Sequence, residues 1–319
     1  MRATGVFGLA LLLSCGGGGG GTSSPAPAPQ PTDAGSPGAD LNGWVPFPSD
    51  NAWNTDISAA AVDPDSDTLI ASIGLGTGLH PDFGTVYNGK PNGIPYTVVP
   101  ATQKQVPVSF SVADESDPGP YPIPPAAPVE AGSDAHVLVV DPGNDRLWEL
   151  DAAKRQNSGA SWKAYSGASF DTSSDALRTD GWTSADAAGL PIFPGLVRYD
   201  EVVTHGAIHH ALRFTVSATR HAYVHPATHF ASSYTGTDRP PMGMRVRLKA
   251  GVDITGYPAH VQVILQALKT YGMFVADNGS NWYISGAPDP RWSDDELATI
   301  SGIKGGDFEV VQMGTVHTN

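Results

Sequence analysis

The clearest pattern of apolar and polar positions along the chain is a pair of short arms joined by a turn. His136-Val137-Leu138-Val139-Val140-Asp141 is followed by Pro142-Gly143-Asn144-Asp145 and then by Arg146-Leu147-Trp148-Glu149-Leu150. The unbroken apolar run on the first arm predicts a strand covered on both faces, and the four turn residues predict a hairpin. With those four as the loop, Asp141 faces Arg146 and Leu138 faces Glu149. Side chains alternate along a strand, so His136, Leu138 and Glu149 then share one face.

A second hairpin is predicted over Leu196 to Val216, with Thr204-His205-Gly206 as its turn. A three-residue loop sets Glu201 opposite His209 and Asp200 opposite His210; a two-residue loop sets Glu201 opposite His210. Further strands are expected at Ile94 to Val99, Val106 to Val112, His221 to His225, Met244 to Lys249 and Asp307 to Gln312. A third hairpin is expected between Met273-Phe274-Val275-Ala276-Asp277 and Trp282-Tyr283-Ile284-Ser285. Val261 to Tyr271 has helical periodicity, with Val261, Ile264, Leu265 and Leu268 on one face and Gly272 as a stop. Ser293 with Glu296 three residues on forms a capping-box pattern. Many short strands, few helices and abundant Gly and Pro point to a mainly β fold, a β-sandwich of jelly-roll type with one or two packed helices. The alternative is an α+β fold with a mixed sheet near the C-terminus.

The first 43 residues carry no such pattern. Arg2, a short apolar run and Leu12-Leu13-Ser14-Cys15 resemble a bacterial lipobox, and Cys15 is the only cysteine. Residues 1–14 are therefore expected to be a lipoprotein signal and Cys15 the lipidation site; the run is far short of the ~20 residues that span a bilayer. Residues 15–43 are rich in Gly, Pro and Ser with almost no large apolar side chain. They read as a disordered tether, because they bury too little to offset their ordering entropy. Residues 44–319 are expected to form a single β-rich domain, monomeric and anchored through the N-terminal lipid to the outer face of a bacterial membrane. The net charge is −14, and no basic run interrupts it, so nucleic acid is excluded as a partner.

Chemistry concentrates in two places. Six of the ten histidines lie between 205 and 229. Neutral imidazole is the commonest metal ligand, and zinc is the default metal for such a cluster. The spacing argues against it: His221 and His225 are separated by ~13 Å on an extended strand, and Pro226 breaks a helix. No cofactor is therefore expected. A second reading is acid–base catalysis, with His210 held by Asp200 or Glu201; a third is that these histidines are half-buried sheet residues satisfied by neighbours. Among the carboxylates, Glu149 sits in the middle of an apolar strand, where burial raises a pKa as a general acid requires. Asp277 precedes Asn-Gly, as turn residues do, and Asp186 reads as a helix-cap acid. Trp and Tyr in loop-rich sequence offer flat faces suited to sugar rings as well as to cores. No Gly-X-Ser-X-Gly elbow, Walker loop or dinucleotide fingerprint is present.

Four phrases carry a resemblance. They are Asp186 to Pro191, Pro194 to Glu201, Met242 to Lys249 and Tyr271 to Gly279. Together they resemble a group of exported bacterial proteins that carry no assigned activity. The resemblance covers about Phe47 to Val311 and implies an exported protein of environmental bacteria; it transfers no catalytic residue.

These readings converge on an exported, lipid-anchored enzyme acting on extracellular polysaccharide, a glycoside hydrolase with a polysaccharide lyase as its close variant. The expected catalytic groups are Glu149, Asp200, Glu201 and His210. His136, Arg213, His229 and Asp277 are expected to contact substrate. A non-catalytic surface lipoprotein that captures glycan or protein, and a metal-dependent hydrolase, are the alternatives.

Overall fold

The computed structural model describes residues 39–318. The expected signal segment, the expected lipidation site Cys15 and the expected tether as far as residue 38 lie outside the described residues. From Ala39 the chain is already packed: Ala39 and Leu41 are buried, and the Tyr96 hydroxyl donates to the Ala39 carbonyl at 2.8 Å. The folded region thus begins before Trp44, because Ala39 and Leu41 join the core that holds Tyr96 and Phe193.

Strands dominate, arranged in several sheets with three α-helices among the described residues. The strands that build the main sheets are β1 (His80–Asp82), β2 (Tyr96–Val98), β3 (Val108–Phe110), β4 (Val137–Asp141), β5 (Arg146–Leu150), β6 (Lys154–Gln156) and β7 (Ser161–Ala164). Then come β8 (Gly167–Asp171), β9 (Leu212–Val216), β10 (Arg245–Leu248), β11 (Met273–Asn278), β12 (Tyr283–Ser285) and β13 (Phe308–Val310). The six-stranded sheet has the order β1-β12-β9-β11-β10-β13 and is mixed: β1 runs parallel to β12 and β9 parallel to β11. A four-stranded sheet has the order β8-β5-β4-β2, and a three-stranded sheet the order β3-β7-β6. The helices are α1 (Ser66–Ile73), α2 (Ala259–Thr270) and α3 (Asp294–Ala298). No helix of the described residues is long and apolar enough to cross a membrane.

The β4–β5 hairpin has the register its sequence predicts, with Asp141 opposite Arg146 and Leu138 opposite Glu149. Its first arm is covered on both faces. Leu138 and Val140 join a core with Tyr96, Leu147 and Phe193, while Val137 and Val139 join another with Tyr121, Leu150 and Trp162. That is the period of two in a strand, read out as two separate cores. α2 likewise follows its periodicity. Val261, Ile264, Leu265 and Leu268 are buried with Leu212, Phe214, Met273 and Val275, each such burial contributing roughly 1.5–3 kcal/mol. Gly272 stops it with φ +66°, and a Cβ there would meet the Val246 carbonyl oxygen. Ser293 caps α3 by accepting from the Glu296 N–H.

Two predicted hairpins do not form. Leu196 to Val216 contains one strand only, β9; residues Asp200–His205 coil into a wide π-type turn that ends at Gly206, φ +70°. A strand would put Asp200 and Glu201 on opposite faces, whereas the turn lets both reach Arg198. In the third case β11 and β12 exist but do not pair. β9 lies between them, parallel to β11 and antiparallel to β12. Residues 279–282 pass around its end, where Gly279 N–H donates to the Val216 carbonyl and Trp282 N–H to that of Thr215.

Candidate functional site

Where the end of β9 meets β11 and β12, two adjoining hollows of about 360 and 460 Å³ open to solvent. Asp134, His136, Asp277 and Asn278 line both, so the two form one cleft with His136 and Asp277 at its waist.

Sheet alternation supplies the floor. Leu212, Phe214 and Val216 of β9 point into the core, so Arg213 and Thr215 point the other way, into the first hollow. Asp277 reaches the same side through an irregularity. Phe214 pairs with Val275, yet Thr215 pairs with Asp277, leaving Ala276 as one extra residue on β11. In unbroken register Asp277 would pair with Val216 and face the apolar core. The bulge re-aims it into the cleft. The Ala276 carbonyl accepts from the Ala188 N–H, which ties the Asp186 loop to this point.

Arg213 is buried and held rigidly. Its Nη2 donates to Asp186 Oδ2 at 2.5 Å and its Nη1 to Ser285 Oγ at 2.8 Å, while its buried Nε has no partner. Asp186 also accepts from the Ala188 N–H at 2.7 Å. Burial pushes the Asp186 carboxyl up to about 7, against the pull of the Arg213 charge. Asp277 is raised by burial, again opposed by Arg213. Asp82, at the exposed rim of the first hollow, is raised because the surrounding protein desolvates it, with His80 and Arg213 acting in opposition. Asp151, in the second hollow, is raised by burial against the charge of His136.

His136 stands beside these acids as a cation. Burial alone would lower its pKa; the hydrogen bond and charge of Glu130 outweigh that and lift it to about 9. Its Nδ1 lies 2.6 Å from Glu130 Oε2 and its Nε2 3.0 Å from the Ala185 carbonyl, which can only accept. Both ring nitrogens are therefore donors, the state of an imidazolium.

The cleft gathers the four residues expected to contact substrate: His136, Arg213, His229 and Asp277. His229 lines the second hollow, its Nδ1 2.8 Å from the Ala187 carbonyl. The four residues expected to do the chemistry are not among its lining. Glu149 is 0% exposed, and its carboxylate accepts from the Ile192 and Phe193 N–H groups at 2.8 and 2.9 Å. It caps a tight turn (Phe193–Gly195); burial raises its pKa and the two N–H donors oppose that. Asp200, Glu201 and His210 form a separate buried network around Arg198. Arg198 lies 3.2 Å from Asp200 and 2.7 Å from Glu201, and His210 Nε2 lies 3.1 Å from Glu201. The convergence of Glu149, an acid from 200–201 and His210 in one cleft, the arrangement expected of an enzyme, is absent.

Sequence reasoning passed over Asp82, Glu130, Asp134 and Asp151 and read Asp186 as a helix-cap acid. They come from four loops or strand ends, Glu130 and Asp134 sharing the loop ahead of β4. Only Asp277 carried a local signal, the alternation of Met273, Val275 and Asp277 along its strand, and that signal pointed inward. Comparison with family models, with curated proteins and with solved structures finds no match for this chain.

Proposed function

We propose that the protein is an exported, lipid-anchored hydrolase of extracellular polysaccharide, with Asp277 as general acid and Asp82 as its partner carboxylate. Asp277, the more deeply set of the two and raised from the ordinary carboxylate range by burial, delivers a proton to a leaving oxygen. Asp82 at the rim meets water and acts as base or nucleophile. Arg213, set in the floor of the hollow, contributes its positive charge beneath the substrate, and His136 contributes a second fixed positive charge rather than a proton shuttle. Asp200, Glu201, His210 and Glu149 hold the scaffold. The four- and three-stranded sheets, closing on the core around Tyr121 and Trp162, form the sandwich portion of the fold.

One observation carries the reading: two carboxyl groups raised from the ordinary carboxylate range, Asp82 at the exposed rim and Asp277 deeper, face one open hollow together with the Arg213 charge. Such perturbed groups cluster at functional sites. The cleft wall is polar and carries Tyr87, 68% exposed, as a flat face for a sugar ring.

The test is a screen of the full-length protein against a panel of neutral and acidic polysaccharides, reading reducing ends and ultraviolet-absorbing unsaturated products in parallel. Release of reducing ends alone, lost in Asp277→Asn, is the expected result. Unsaturated products would assign a lyase. Saturable glycan binding without product would favour the binding reading that Tyr87 also supports.

A further inference from the structure

Away from the cleft, three side chains of metal-ligating type meet on the surface from distant parts of the chain. His225 follows the two-residue strand Tyr223–Val224, and His317 belongs to the strand Val316–His317 that pairs antiparallel with it. Asp180 enters from the loop ahead of Trp182. His225 Nε2 lies 2.8 Å from Asp180 Oδ1, and the His225 and His317 rings are 4.4 Å apart between centroids. One ligand atom from each of the three lies within 4.8 Å of the other two.

The spacing of histidines within residues 205–229 hides this group. His221 and His225 do not come together; His225 instead meets a histidine near the C-terminus, which only the pairing of two short strands brings close.

Tyr223 neighbours two of the ligands: its hydroxyl is directed at Asp180, and its ring stacks on His317 at 5.0 Å and 8°. Such partners fix the rotamers of metal ligands and are part of a metal site. Zinc bonds of ~2.0–2.2 Å to nitrogen and oxygen require the ligand atoms to draw together to roughly 3.4 Å. His225 and Asp180 are 42% and 51% exposed, so side-chain rotation achieves this without moving the core. Two imidazoles and one carboxylate suit zinc; magnesium and calcium prefer oxygen alone. The other grouping of this kind among the described residues, Asp40 with Asp200 and His205, is less open to a cation. Asp200 already accepts from the Leu41 N–H with one oxygen and from Arg198 with the other.

We infer that Asp180, His225 and His317 bind one Zn²⁺ ion, leave its fourth position to water, and fasten the C-terminal ribbon to the loop at Asp180. The ribbon is otherwise held by two residue pairs, Tyr223 with His317 and Val224 with Val316.

The experiment uses the full-length protein, free of any histidine tag and stripped with a chelator. Calorimetric titration with Zn²⁺ should show one saturable site, and bound Co²⁺ should develop visible absorption. Tyr223→Phe should weaken Zn²⁺ binding within the roughly 10–100-fold range of a lost orienting partner, and His317→Ala by more. Hydrogen exchange of the 316–318 amides should slow on adding Zn²⁺ to the parent protein and not to His317→Ala. His260→Ala, a surface histidine paired with Glu296 elsewhere, should bind as the parent does. Circular dichroism confirms that each variant is folded. Lack of saturable Zn²⁺ binding by the folded parent, or binding that survives both His225→Ala and His317→Ala, overturns the assignment.

Discussion

Asp277 lies opposite Thr215 only because β11 accommodates Ala276 as an extra residue between two regular pairings. That bulge turns a carboxylate away from the apolar core and toward Arg213 at the waist of the cleft. Replacing the carboxyl by the isosteric amide separates chemistry from folding. Asp277→Asn is expected to lower glycan release by about 10²–10⁴-fold, the usual contribution of a general acid. Its thermal midpoint at pH 8 is expected to equal or exceed that of the parent, because a desolvated negative charge has been removed. Unchanged release by this variant would end the case for Asp277 as the acid.

Glu149 makes the opposite prediction. Its two oxygens satisfy the Ile192 and Phe193 N–H groups in a fully buried setting. Glu149→Ala strands both donors and should cost roughly 2–4 kcal/mol, read from the denaturant midpoint. Glu149→Gln keeps one acceptor and should cost less. Folded Glu149→Gln protein should release glycan at the parent rate. A variant that is stable but inactive would return Glu149 to the catalytic set.

The legible parts of this chain are those where partners are close in sequence. The β4–β5 hairpin follows from four turn residues and two adjacent arms, and α2 follows from its own periodicity. The predicted hairpin at 196–216 fails because alternation there competes with a need that sequence does not show, that of bringing Arg198, Asp200, Glu201 and His210 together. The hairpin after Met273 fails because β9, some sixty residues earlier, inserts between its arms. The cleft is the least legible part. Asp82, Glu130, Asp151, Asp186 and Asp277 come from separate segments, and what raises Asp82, Asp151, Asp186 and Asp277 is the bulk of protein around them. The sequence concentrates six histidines in residues 205–229, yet of those six only His229 reaches the cleft wall.

Arg198 neutralises Asp200 and Glu201 in an interior where an unpaired charge is costly. Its side chain is 1% exposed, and the charge it supplies holds Glu201 below the ordinary glutamate range despite burial. Arg198→Met leaves two buried carboxylates without their cation and should cost about 3–5 kcal/mol in chemical denaturation. The loss should be partly recovered in the combined Arg198→Met, Glu201→Gln variant, since one stranded charge is then gone. Equal stability of parent and Arg198→Met would show that the pairings are not what holds this segment.

His136 provides a pH signature with a definite sign. Its folded pKa is raised from 6.5 to about 9. Between those values the folded chain retains a proton that the unfolded chain has released, so stability falls as pH rises through this window. The contribution, about 3 kcal/mol in all, is complete below pH ~6.5 and is lost by the upper end of the window. Glu130 is shifted the other way, below its ordinary value, so its share is present once it ionises and is lost only in acid. Asp186, raised from 3.8 to about 7, also makes stability decline with pH, but over a lower range. Comparing the parent with His136→Gln from pH 7 to pH 10 isolates the histidine: the parent should lose stability faster than the variant. Ring titration by NMR should place the His136 midpoint near 9 in the parent and lower in Glu130→Gln. A midpoint below 7 in the parent would make the ring neutral in use, and would open to it a proton-carrying role that its two acceptor neighbours now deny it.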